Sequence, residues 1–262
     1  MVITMKVKST LLLVFYIVFA GLCHAASSAL KVDAVAEYPP SVSARLFDSS
    51  LYLFANGQKI SISCNDRVLW TDDIDSDRII VQRNSMAGGS YISVSASSGY
   101  GGVNGFYAVF YLDRGQCVFA ANELIANPSF YADHVESWER SGPITIRKRY
   151  QYQADGHLLQ TSQLADYGDF CQLLSANVTV NIVSCETLQP AVFATISVEK
   201  TYLYRRADSR HPDKAYLMGG DQVLLTAFSE ASGRIKIRYQ GKRITEGWID
   251  LSAVAFKSEI NP

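Results

Sequence analysis

Net charge, proline, cysteine, histidine and long apolar runs are all scarce in this chain of 262 residues, and each shortage removes a class of protein. Lys and Arg number 24 against 25 Asp and Glu, so no net field is available to hold nucleic acid or an anionic membrane by charge alone. Seven prolines and no low-complexity tract, beside 48% hydrophobic and 19% charged residues, exclude disorder as the main state. The longest apolar run, Leu11 to Leu22, falls short of the ~20 residues that cross a bilayer, so no stable membrane span is expected. Only four histidines occur, with no G-x-S-x-G or H-E-x-x-H pattern, and routes to nucleophilic or zinc chemistry are correspondingly few.

What is present begins with an address. Lys6 and Lys8 precede the apolar run, and Ala25 is followed by Ala26-Ser27-Ser28, which are the three zones of a secretory signal over residues 1–25. The mature chain is expected to start at Ala26 and to reside in the periplasm or outside the cell. Leu22 stands before Cys23 where bacterial lipoprotein signals carry a small residue, so lipidation is not expected. Beyond the leader lie Cys64, Cys117, Cys171 and Cys185, an even set in an exported chain, and we read them as two disulfides. Of the three possible connectivities, the short separation of Cys171 and Cys185 around the alternating stretch Asn177 to Ile182 favours that bridge and leaves Cys64 with Cys117.

Nearly every periodic segment alternates at period two, which predicts an all-β fold. Leu51 to Phe54 and Ile60 to Cys64, separated by Asn56-Gly57, read as a tight hairpin whose turn uses positive φ. Further strands are expected at Arg78–Gln82, Tyr91–Ser95, Phe106–Leu112, Gln116–Phe119, Ile144–Tyr152 and His157–Gln160, with a short helical turn over Ala121–Asn127. Pro190, in Thr187-Leu188-Gln189-Pro190, marks a boundary between a β-rich sandwich or barrel-like domain over 26–190 and a small β domain over 191–262.

Three stretches invite a ligand and fall short. Asp73-Ile74-Asp75-Ser76-Asp77 starts like a calcium loop, but Arg78 and Asn84 occupy the glycine and glutamate positions that such a loop needs. Gly99 to Gly105 is glycine-rich, yet it leads into a strand and lacks the lysine of a phosphate loop. Arg147-Lys148-Arg149 beside Tyr150 and Tyr152 is one basic strand on a balanced chain. No metal, cofactor or nucleic acid is therefore expected.

Thr201-Tyr202-Leu203-Tyr204, Lys214-Ala215-Tyr216, Gly219-Gly220-Asp221-Gln222-Val223, Arg234 to Tyr239 and Glu246-Gly247-Trp248-Ile249 follow one another in an order that resembles bacterial SH3-like domains over Val192–Phe256. One departure is Ile235, where the third strand of that family often carries tryptophan. The resemblance implies a small SH3-like β-barrel that recognises a cell-wall peptide stem or a protein segment, with Tyr202, Tyr204, Tyr216, Tyr239 and Trp248 lining its groove. Asn127-Pro128-Ser129-Phe130, Val135 to Pro143, Arg149 to Tyr152 and Asp155 to Leu158 are similar to a segment of Gram-negative periplasmic immunity and lysozyme-inhibitor-like proteins. That likeness implies a protein that binds and blocks a wall-degrading or toxic enzyme.

Catalysis has little to build on. His134, His157 and His211 are the imidazoles of the mature chain, the four cysteines are assigned to disulfides, and carboxylates such as Glu123, Glu136 and Asp155 show no pairing by spacing. The sequence thus reads as a non-enzymatic envelope binding protein whose partner is an envelope protein or the peptide of peptidoglycan. The alternative is a peptidoglycan hydrolase with an SH3-like targeting domain.

Overall fold

A computed structural model describes residues 32–256 apart from 48, 87, 98–102, 176 and 177. The expected leader and residues 99–102 of the glycine-rich stretch lie outside the described residues. The fold is all-β, and its sheets are antiparallel.

After β1 (Ala34–Tyr38) comes a four-stranded meander, β2 (Ser41–Arg45), β3 (Leu51–Asn56), β4 (Lys59–Cys64) and β5 (Arg67–Asp73). The chain returns as β6 (Ile79–Met86), β7 (Gly89–Ser97), β8 (Phe106–Asp113), β9 (Gln116–Phe119) and β10 (Ile125–Ala126). These pair with β1 in the order β1-β6-β7-β8-β10, with β9 also on β8. Alternation decides which sides meet: Leu51, Leu53 and Ala55 of β3 and Ile60 and Ile62 of β4 point inward, while Tyr52 and Phe54 point out. The inward set packs on Ile79, Val81, Ile92, Val94, Ala108 and Phe110 of the opposite sheet, which makes a two-sheet sandwich. Cys64, at the end of β4, is bonded to Cys117 in β9 with Cα atoms 6.3 Å apart, so the bridge joins one sheet to the other.

Of two local expectations, the hairpin holds and the helical turn needs correction. The Asn56-Gly57 hairpin forms, and Gly57 takes φ 87°, but Asn56 remains paired with Ser41 of β2. Its side-chain carbonyl accepts from the amides of Gln58 (3.1 Å) and Lys59 (2.8 Å), and with Ala55 facing Ile60 across the strands the turn spans the four residues between them. The helical turn over Ala121–Asn127 is absent. Ile125 and Ala126 pair instead with Tyr107 and Phe106, because the edge of β8 supplies backbone partners for a segment whose apolar side chains are buried.

β11 (Ser129–Phe130), β12 (His134–Ser141), β13 (Ile144–Tyr152), β14 (Leu158–Asp166), β15 (Cys171–Ser175) and β16 (Val178–Val183) form a second meander, a six-stranded sheet in chain order. Val135, Tyr150 and Leu158 pack on Tyr91, Val109, Ala120 and Phe130, so β7 and β8 are covered on both faces. Cys171 is bonded to Cys185 with Cα atoms 4.9 Å apart, tying β15 to the turn after β16.

The last unit comprises β17 (Phe193–Ile196), β18 (Lys200–Tyr202), β19 (Tyr216–Met218), β20 (Gln222–Ser229), β21 (Arg234–Gln240), β22 (Ile244–Asp250) and β23 (Val254–Phe256). Five of these form a sheet in the order β22-β21-β20-β17-β23, while β18 and β19 make a separate hairpin. Ile235, Ile237 and Ile249 are fully buried, and Lys236 and Arg238 face out. Gly247 is required here, since a Cβ would lie 2.5 Å from the Leu203 side chain. The core of this unit also takes in Phe170 and Ile182 from the six-stranded sheet, and Gln172 donates a hydrogen bond to the Phe228 carbonyl at 3.3 Å.

Candidate functional site

The five aromatic residues expected to line a groove fall into three environments. Tyr202 and Tyr216 are cross-strand partners in the β18–β19 hairpin, 43% and 51% exposed, with ring centroids 6.0 Å apart in an edge-on arrangement. The Lys200 ammonium lies 4.6 Å and 3.9 Å from their centroids, a cation–π contact that fixes the rings while leaving their outer surfaces open. Tyr204 and Trp248, both half-buried, form a backbone bridge through amide–carbonyl bonds of 2.7 and 2.8 Å. That bridge closes the unit along β22. Tyr239 shares the inward side of β21 with Ile235 and Ile237 and packs against the core. Its hydroxyl donates to Asp221 at 3.1 Å, and this bond, followed by the carboxylate's charge, raises the phenol pKa.

Arg234 sets the local frame. Its guanidinium stacks 3.4 Å above the Tyr204 ring, its Nε is 3.0 Å from Asp250, and its Nη1 donates to the carbonyls of Ala207 (2.9 Å) and Ser209 (2.7 Å). One side chain therefore pins the long loop between β18 and β19 to the outer side of β21 and β22. Five donors in a planar fork allow Arg to satisfy all of these partners at once.

The candidate catalytic groups are dispersed among separate networks. Glu123 accepts from the Tyr150 hydroxyl (2.9 Å) and pairs with Lys148 (3.2 Å), whereas Asp155 pairs with His157 (3.1 Å). Buried His134 has Nδ1 2.6 Å from Asp133, Nε2 3.1 Å from Glu136, and its ring stacked on Tyr131 at 4.6 Å. The hydrogen bond from His134 holds the Asp133 carboxyl below the usual range. In the acidic turn, Asp73 pairs with Lys59 at 3.2 Å, and Arg78 pairs with Glu37 at 3.4 Å. Among the described residues Asp166, Cys171 and Cys185 bring three potential metal-ligand atoms together, but the two sulfurs are bonded to each other.

The structure also shows a surface that sequence reading missed. A groove of about 530 Å³ lies on the outer side of the six-stranded sheet, where Trp138, Arg147, Leu164, Leu173 and Leu188 come together. Its signal in the sequence is faint, a set of large apolar residues at strand positions where polar ones suffice. No protein-family model, curated protein or solved structure matches this chain. No helix among the described residues is long and apolar enough to cross a membrane.

Proposed function

We propose that the protein is a non-enzymatic binding protein of the bacterial envelope, exported with loss of residues 1–25, whose C-terminal unit is an SH3-like barrel that takes a peptide ligand. The observation that carries this reading is the exposed Tyr202–Tyr216 pair, held by Lys200 on a hairpin whose connecting loop Arg234 pins. Aromatic faces give an extended peptide large contact area at low entropic cost. The strand order β23-β17-β20-β21-β22, with the hairpin between β17 and β20 and a 3-10 turn at Leu251–Ala253 before β23, supports the SH3-like assignment.

The ligand is the peptide stem of peptidoglycan or, failing that, an extended segment of an envelope protein. Engagement of all four mature cysteines as disulfides counts against a wall hydrolase that uses a thiol nucleophile. The test is co-sedimentation of the mature chain with purified sacculi, beside a Tyr202→Ala, Tyr216→Ala double variant. Both positions are exposed, so circular dichroism should match that of the parent. Pelleting by the parent and not by the variant is expected. No pelleting by the parent removes wall peptide as the ligand, and pelleting unaffected by the variant removes the hairpin as the site.

A further inference from the structure

The outer side of the six-stranded sheet carries side chains that a purely solvated surface does not require. Strands β12 to β15 are in register so that Trp138, Arg147, Leu164 and Leu173 form one row across four strands, and the pleat turns directly opposed residues to the same side. Residues of the opposite alternation, among them Val135 and Tyr150 packed on the sandwich and Ile182 on the C-terminal unit, face the other way. The row crosses three strand spacings, roughly 14 Å at ~4.8 Å each, which matches about four residues of extended chain. Leu188, from the turn after β16, joins the same groove. It is 48% exposed.

Charge decides what fits. Glu136 is engaged by His134, and Asp133 by His134 and by Arg149 at 3.6 Å. Arg147, in the middle of the apolar row, has no ion-pair or hydrogen-bond partner among the described residues. A free guanidinium between a tryptophan and three leucines selects a carboxylate flanked by apolar groups. We propose that this groove binds an extended acidic segment of a partner protein. An aspartate or glutamate of the segment meets Arg147, while the apolar residues two positions to either side, which share its face of an extended chain, lie on Trp138 at one end and on Leu164, Leu173 and Leu188 at the other. This site is independent of the barrel and of whatever ligand the barrel takes.

The test is an NMR titration of the protein, labelled at leucine methyls and tryptophan indoles, with acetyl-Leu-Ser-Glu-Ser-Leu-amide, whose glutamate and leucines share one face when extended, and with its lysine counterpart acetyl-Leu-Ser-Lys-Ser-Leu-amide. The acidic peptide is expected to shift the Trp138 indole and the methyls of Leu164, Leu173 and Leu188, and the lysine peptide to leave them in place. Arg147→Gln should weaken binding about fivefold, the worth of one partly exposed ion pair, and added NaCl should weaken it in the parent but not in the variant. Arg147 and Trp138 are both exposed, so resonances elsewhere report whether Arg147→Gln and Trp138→Ala keep the fold. Absence of shifts in the parent, equal response to the lysine peptide, or binding unchanged by Arg147→Gln overturns the proposal. So does a concentration-dependent shift without peptide that accompanies dimer formation in sedimentation, since the occupant is then a second copy of the chain.

Discussion

Tyr91, Tyr150 and Tyr152 sit where the sandwich meets the six-stranded sheet, and desolvation is the main cause that raises all three phenol pKa values. Glu123 adds to the rise at Tyr150. In the unfolded chain these phenols ionise near pH ~10, whereas in the folded protein they stay neutral to higher pH. Their contribution to stability is therefore complete below pH ~10 and is lost as pH climbs toward the folded values. Phenolate absorbance followed with circular dichroism should show some tyrosines titrating near pH ~10 and the rest ionising only as the fold is lost. Ser93 offers a second test. It is fully buried opposite Val109 in β8, and its hydroxyl has no hydrogen-bond partner among the described residues. Ser93→Ala removes a desolvated hydroxyl and should raise stability by about 1 kcal/mol in urea unfolding; a loss of that size would show that the hydroxyl is satisfied.

Strands and turns carry most of what the sequence revealed. Residues Gln116–Phe119 and Ile144–Tyr152 form strands with the expected bounds, because each follows directly on a turn with special φ demands. Arg114 and Gly115, between β8 and β9, take φ 46° and 84°. The two bridges were legible from cysteine parity and spacing, and their loops differ in length, with sequence separations of 53 and 14. In the chain-entropy account, loops of those lengths are worth about 4 and about 3 kcal/mol. Cys64→Ala, Cys117→Ala should accordingly lower the urea midpoint further than Cys171→Ala, Cys185→Ala, and the reverse order would point to strain or to structure in the unfolded chain. The short edge strands β1, β2, β11 and β10 were not legible, since two to five residues give too few periods to separate strand from turn. The groove was illegible for a different reason. Trp138, Arg147, Leu164 and Leu173 come from four strands, and only the register of those strands places them together.

The molecule as a whole is held by apolar clusters that cross from one unit to the next. Phe170 is the clearest case: it precedes Pro190, yet its ring lies 5.3 Å from Phe228 and 5.8 Å from Phe256, and it stacks on Tyr167 at 5.2 Å. Phe170→Ala should cost about 3–5 kcal/mol, lowering the thermal stability of the six-stranded sheet and the C-terminal unit together. Calorimetry of the protein would show one displaced transition for both, and an unchanged C-terminal transition would mean that the shared cluster does not couple them. For the same reason a fragment ending before Val192 uncovers Phe170 and Ile182 and should self-associate, so point variants are the better probes of binding. The pairing of the cysteines has a consequence for how the protein is made. Cys64 is bonded to the next cysteine along the chain, Cys117, and Cys171 to the next again, Cys185. When a polypeptide meets an oxidant while it emerges N-terminus first, each thiol's first available mate is its native one. On the export route proposed above, with Cys23 lost in the leader, sequential oxidation in chain order leads directly to the native pairing.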